Sequence, residues 1–243
     1  NESVLRADDN CEYIVPDFSN TIIFSPANAN FSQSIPAGTR IEQSTSIEIN
    51  LSFNGEFTTY DHHLCHLASA YFPSGFKKSI VLSLDGVGQV ETGKLAIANN
   101  GKIKECEFDA IYPNSLGLIY SALTFFLGWR HHCDEGIIMG LAPYGDPHKK
   151  IPGKSVSYID IFRKIIPKNK NLGFKINKDW IAYHDKRDTW VSDKFKFFFG
   201  KKRDYQKKIT QHHKNIAAAL QLRLEEVVLD TLRKLKKKYK IDY

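Results

Sequence analysis

Residues 79–88 read SIVLSLDGVG, and the fold class turns on them. Ser79–Leu84 is a β-rich, almost wholly apolar run of strand length. Its nearly all-apolar character predicts a strand buried on both faces. Asp85, Gly86, Val87 and Gly88 follow at its C-terminal end, where open α/β sheets usually meet their ligands. Gly86 and Gly88 would let backbone N–H groups come close to a phosphate. An ordinary Asp-Gly turn between strands is the plainer alternative.

Working outward, Glu91–Ala98 and Lys102–Phe108 read as a hairpin around Asn99-Asn100-Gly101, because Asn-Gly accepts the positive φ of a tight turn. Ser115 predicts an N-cap for LGLIYSALTFFL, with Gly128 as the residue that ends the helix. That helix is apolar nearly all round and is expected inside. Residues 136–145 (GIIMGLAPYG) are glycine-rich and read as a packed loop. Upstream, residues 57–61 (FTTYD) read as a short strand. HHLCHLASAYF then suits a helix closed by Pro73 and Gly75. Residues 1–50 show no strong periodicity, with one strand expected around Thr21–Phe24. At the other end, apolar residues from Ile209 to Tyr239 recur every three or four positions, predicting one amphipathic helix from about Asp204 to Lys240. Asp230 and Lys234 make a favourable i,i+4 pair on it. The class is α/β.

The residues that can do chemistry cluster early. In Asp61-His62-His63-Leu64-Cys65-His66, a helix puts His62 and His66 one turn apart on one face, so two imidazoles can reach one ion. His63 with His66 is a poorer pair. Two histidines alone are a weak motif, and ordinary structural histidines are the alternative. Asp85 is the obvious third ligand. Two neutral imidazoles and a carboxylate suit Fe(II), Zn(II) or Mn(II), and spacing does not choose among them. Glu135, in Asp134-Glu135-Gly136, could hold a cation or a hydroxyl, or equally cap a loop. His131, His132 and Cys133 precede it as a second, weaker metal candidate. The sequence holds no P-loop, no G-x-S-x-G and no HExxH.

Composition bounds the rest. The chain has 243 residues, 42% hydrophobic and 12% aromatic, enough for a real core, so wholesale disorder is excluded. No apolar run reaches about 18 residues, so no membrane span is expected, and the first ten residues do not read as a signal peptide. The four cysteines (Cys11, Cys65, Cys106, Cys133) are scattered, which predicts reduced thiols in a cytoplasmic protein. Charge is uneven. Residues 149–208 hold 18 Lys+Arg against 6 Asp+Glu, leaving 16 against 21 elsewhere. The basic residues follow no recognised nucleic-acid motif, so they read as a solvated lysine-rich insertion, and nucleic acid is not an expected partner.

Five blocks, in this order, resemble the O-carbamoyltransferase family that includes nodulation and antibiotic-tailoring enzymes: DHHLCHLASAYFPSGF (61–76), IVLSLDGVGQVET (80–92), SLGLIYSALTFFLGW (115–129), EGIIMGLAPYG (135–145) and ITQHHKNIAAALQLRLEE (209–226). The likeness covers roughly residues 55–243. It implies an actin-like/Hsp70-like ATPase (ribonuclease H-like) fold, as in tRNA threonylcarbamoyl transferase proteins, here incomplete. It implies that ATP and carbamoyl phosphate give carbamoyl-adenylate, whose carbamoyl group passes to an acceptor hydroxyl that the sequence does not name. The family's metal ligands fall on His62, His66 and Asp85, with Fe(II) ahead of Zn or Mn, and Asp85 is also the implied catalytic residue. Gly86, Gly88 and Glu135 are the implied cofactor-side residues.

The resemblance also sets expectations about extent. One partial catalytic domain is expected: a divergent part at 1–50, a core with the metal motif at 55–148, a basic insertion at 149–205 and a long core helix at 206–243. The family's opening strand and its adenylate-forming domain are absent from the chain, which predicts weak or no activity alone. The family's E-G-K reads Glu135-Gly136-Ile137 here, and isoleucine cannot hold phosphate. A non-enzymatic module that binds metal, nucleotide or a partner through the basic segment is the competing reading. A metal-dependent hydrolase is a third. An open sheet edge and the long helix's apolar face invite self-association, with a homodimer as one form.

Overall fold

The structure, a computed structural model, describes residues 60–186 and 189–240 and, within the first 59 residues, only short strands. The chain divides into two compact units, Asn1–Thr59 and Tyr60–Tyr243. In the first unit, β1 (Arg6–Ala7), β2 (Tyr13–Ile14) and β4 (Arg40–Ile41) form an antiparallel sheet in the order β1-β2-β4, and β3 (Ala29–Gln33) pairs antiparallel with β5 (Ile49–Phe53). The strand expected around Thr21–Phe24 lies outside the described residues, as do residues 57–59 of the expected FTTYD strand. Tyr60 and Asp61 are not in a strand.

The second unit is mixed α/β. Helix α1 (His62–Tyr71) leads through a short 3-10 turn at Phe72–Ser74 into a three-stranded antiparallel sheet of β6 (Lys78–Leu84), β7 (Gly93–Asn99) and β8 (Lys102–Cys106). The Pro73–Gly75 stop is present, with Gly75 at φ +73°. In the sheet, Lys78 stands opposite Asn99 and Leu84 opposite Gly93. The β7–β8 turn uses Asn100 at φ +47° and Gly101 at φ +78°, as the Asn-Gly pair predicts.

β6 departs from its reading. Val81 and Ser83 are buried, but Ile80, Leu82 and Leu84 are only half-buried and Lys78 is exposed. One face is covered by α1, whose Leu67 and Tyr71 pack with Val81, Ala96 and Ala98, while the other is covered in part, with Leu84 against the main core and Leu95 of β7 fully buried. A mostly apolar run of six residues reads alike whether its second face is covered wholly or in part, so the antiparallel pairing and the partial cover were not visible in it.

The main core gathers on α2 (Leu116–Phe126), which is buried almost all round. α3 (Glu135–Leu141), α4 (Tyr158–Ile165), α5 (Asp193–Phe199) and α6 (Gln211–Tyr239) complete this core. α3 corrects the packed-loop reading of 136–145: residues 135–141 are helical and a 3-10 turn follows at Ala142–Tyr144. Gly136 and Gly140 face open space, while Ile138 is fully buried, so packing of one side chain outweighs two poor helix formers. The lysine-rich segment contributes Ile151, Tyr158, Phe162, Trp180, Phe195 and Phe199 to the same core.

α6 begins at Gln211 rather than about Asp204. The reason is Arg203, whose buried guanidinium donates to the carbonyls of Leu127, Asp204, Tyr205 and Lys207. Carbonyls drawn onto one side chain cannot start a helix, so residues 204–210 coil around it. Lys234 and Asp230 do pair, at 2.7 Å. Among the described residues no helix is long and apolar enough to cross a membrane.

Candidate metal centre

Asp61 caps α1, accepting the Leu64 N–H at 2.7 Å, and its carboxylate also meets Lys94 Nζ at 3.0 Å. The cap fixes where the helix starts, and therefore which residues share a face. His62 and His66 fall one turn apart, both partly exposed. Asp85 lies just past the end of β6. Its Oδ2 is 2.8 Å from His62 Nε2 and 3.1 Å from His66 Nε2, and the two Nε2 atoms are 3.1 Å apart. Among the described residues this is the one group of three such side chains that could hold an ion.

The donor set fits a divalent ion. Nitrogen and oxygen atoms each about 2.1 Å from one centre stand roughly 3.0–3.4 Å from one another, and the three observed separations lie close to that range. The carboxylate is held ready in its ionised form. Burial by itself would raise the Asp85 carboxyl, but hydrogen bonds from His62, from the Gly86 N–H and from His66 hold it below its ordinary value. Its oxygens divide the work: Oδ1 accepts the Gly86 N–H at 2.6 Å, and Oδ2 faces the histidines.

His63, the poorer ligand candidate, turns the other way. It is 0% exposed, its Nδ1 lies 2.8 Å from Ser83 Oγ and its Nε2 2.9 Å from the Glu91 carbonyl. A carbonyl can only accept, so Nε2 carries the proton and Nδ1 receives the serine hydroxyl. His63 therefore pins α1 to β6 and to the loop after Asp85, which sets the distance between the histidine face and the carboxylate.

The glycines act by clearance. The Gly86 N–H is donated to Asp85 and the Gly88 N–H to the Glu91 carbonyl at 2.8 Å, so both amides offered to a phosphate are spent within the chain. A Cβ on Gly88 would lie 3.1 Å from the rings of His62 and His63. Two residues that sequence reasoning missed as part of the site stand behind the aspartate. Ser115 caps α2 by accepting the Leu118 N–H, and its hydroxyl points at the Gly86 and Asp85 carbonyls at 2.6 and 3.1 Å. Gly117 has no room for a side chain: a Cβ there would be 2.6 Å from the Gly86 nitrogen. A lone glycine in a helix otherwise filled with bulky apolar residues was the available signal.

Glu135 is not a member of the group. Its Oε1 accepts from Ser121 Oγ and from the His132 N–H, both at 2.6 Å, which ties the loop before α3 to α2. His131 and His132 pack on Trp190, with ring centroids 4.6 and 5.4 Å away. Ile137 is partly exposed.

The chain belongs to the carbamoyltransferase family: the sequence model of the carbamoyltransferase N-terminus matches residues 27–243. It is 35% identical over 174 residues to nodulation protein NolNO of Sinorhizobium fredii, covering 71% of this chain and 22% of that protein. It is 33% identical over 175 residues to nodulation protein NolO of Bradyrhizobium diazoefficiens, covering 71% and 28%. An uncharacterised Synechocystis protein, sll1178, is 34% identical over 171 residues, covering 70% and 26%. The chain thus spans about a quarter of the length of these relatives.

Proposed function

We propose that this chain carries the metal-binding half of a carbamoyl-transfer site. His62, His66 and Asp85 would hold a divalent ion, Fe(II) before Zn(II) or Mn(II). The observation that carries the reading is the convergence of His62 Nε2, His66 Nε2 and Asp85 Oδ2 at the end of β6. Bound there, the ion would polarise the carbamoyl carbonyl and offset phosphate charge. The chain's own residues set the stage: His63 and Ser83 fix the helix over the strand, and Gly88 leaves the imidazoles room. Ser115 and Gly117 hold the turn that presents the carboxylate.

In the whole protein, ATP and carbamoyl phosphate would supply carbamoyl-adenylate. The acceptor hydroxyl attacks the carbamoyl carbon and loses its proton; a new C–O bond forms and the bond to the adenylate oxygen breaks, releasing AMP. An actin-like/Hsp70-like ATPase core is the finer fold that goes with this reading, supported by the strand-end position of Asp85. On the same reading the chain alone binds the metal and transfers little carbamoyl.

The test has two arms. Metal content after chelator-free purification should be near one ion per chain and should fall to background in His62→Ala/His66→Ala. In a longer protein that contains this chain, Asp85→Ala should abolish carbamoylation of an acceptor from ATP and carbamoyl phosphate. Equal activity of Asp85→Ala and wild type would refute the assignment.

A further inference from the structure

A cavity of about 430 Å³ opens between α4, residues 167–174 and the C-terminal half of α6, and shares no lining residue with the His62–His66–Asp85 group. Four cationic side chains, Arg163, Lys168, Arg223 and Arg233, line it against two anionic ones, Glu226 and Asp230. Both carboxylates are already engaged. Glu226 accepts from Arg163 Nη2 at 2.5 Å and from Arg223 Nη1 at 2.6 Å, and Arg163 also meets Asp160, which does not line the cavity, at 3.8 Å. Asp230 pairs with Lys234 Nζ at 2.7 Å, which does not line the cavity. The side chains of Lys168 and Arg233 make no hydrogen bond or ion pair with the described residues.

The back wall is rigid. Arg223 is 3% exposed, and its Nε donates to the Ile166 carbonyl at 2.8 Å. Arg223 shares its one carboxylate, Glu226, with Arg163, so a ligand carrying negative charge would add to the compensation of a buried guanidinium. With the outer partners Lys234 and Asp160 included, five cations stand against three carboxylates, and that excess of two positive charges matches a dianion; guanidinium forks match tetrahedral oxyanions. The cations surround one bounded space rather than a track, which favours a small molecule over a nucleic-acid backbone.

We propose that this cavity binds a small phosphate-bearing anion, inorganic phosphate or a phosphate monoester. Lys168 and Arg233 contact it, and the Arg163–Glu226–Arg223 trio forms the fixed wall behind. The experiment is calorimetric titration of the full chain, kept metal-free with a chelator, with inorganic phosphate, with a sugar phosphate and with a single-stranded oligonucleotide. The expected result is saturable one-to-one binding of phosphate or sugar phosphate, weakening with salt, and about tenfold or more weaker in Lys168→Ala/Arg233→Ala. A stronger response to the sugar phosphate would mark the monoester as the natural class. Arg233→Glu should abolish binding while melting like wild type, because that side chain is exposed and unpaired among the described residues. His62→Ala/His66→Ala should bind as wild type does. Absence of saturable binding, equal affinity in Lys168→Ala/Arg233→Ala, loss in His62→Ala/His66→Ala, or binding of the oligonucleotide alone would each overturn the proposal.

Discussion

Gly117 and Asp85 touch without a side chain between them: a Cβ at Gly117 would lie 2.7 Å from the carbonyl oxygen of Asp85. The first turn of α2 is thus the rear support of the candidate metal ligand. Gly117→Ala must push the Asp85–Gly86 turn away from the helix, because the obstructing atoms are backbone. The expected cost is about 1–3 kcal/mol of stability, with loss of metal retention. Thermal melting and metal content on one preparation check both effects, and a variant that keeps full metal content would contradict the support role.

His63 and His62 are neighbours with opposite jobs. His63→Ala removes a fully buried ring and strands the Ser83 hydroxyl and Glu91 carbonyl, so it should lose about 2–4 kcal/mol. His62→Ala removes a partly exposed ring and should change stability by no more than about 0.5 kcal/mol. Both should lower metal content. Urea unfolding of the metal-free proteins separates the roles, and equal midpoints would show that His63 does not pin the helix.

Arg203 gathers four carbonyls and lies over the Trp129 ring, its guanidinium carbon 4.4 Å from the ring centroid. Arg203→Ala leaves the buried Leu127 carbonyl and three part-buried ones without that donor and should cost about 1–3 kcal/mol. Residues 204–210 should then open first. Limited proteolysis should show faster cleavage there in the variant than in wild type, and unchanged cleavage would count against the anchoring role.

Glu226 gives a pH dependence whose sign follows from its partners. The Arg163 hydrogen bond is the largest influence, opposed by burial and joined by Arg223, and together they lower the carboxyl below its ordinary value of 4.5. A carboxylate with a lower pKa in the folded chain binds fewer protons there than when unfolded. Its stabilising effect is complete above about pH 4.5 and fades as pH falls through the folded value. Glu226→Gln should cost about 1–3 kcal/mol at pH 7, and wild type and variant should converge in acid. Urea midpoints across that range decide it, and a constant gap would contradict the linkage.

What could be read from the sequence was what neighbours in the chain decide. The Asn100-Gly101 turn, the Ser115 cap and the Pro73–Gly75 stop depend on residues within a few positions, and each stands where it was expected. The meeting of His62 and His66 was legible because helical spacing puts them on one face, and Asp85 lies against them. The role of His63 was not, since its partners lie 20 and 28 positions away. α3 was hidden by two glycines whose poor propensity is overridden by Ile138 inside the core. The start of α6 was hidden because Arg203 settles it through carbonyls, which carry no sequence signature.

The anchoring of His63 has a further meaning for whatever ion the site takes. The helix that carries His62 and His66 and the turn that carries Asp85 are fastened by hydrogen bonds of other groups, His63 to Ser83 and to the Glu91 carbonyl, and Ser115 to the Gly86 carbonyl. On the proposed metal reading, occupancy and folding would be separate equilibria, unlike those of domains that collapse only around their metal. The ion becomes a replaceable component: chelation should empty the site with little change in circular dichroism, and a different divalent ion should refill it without refolding.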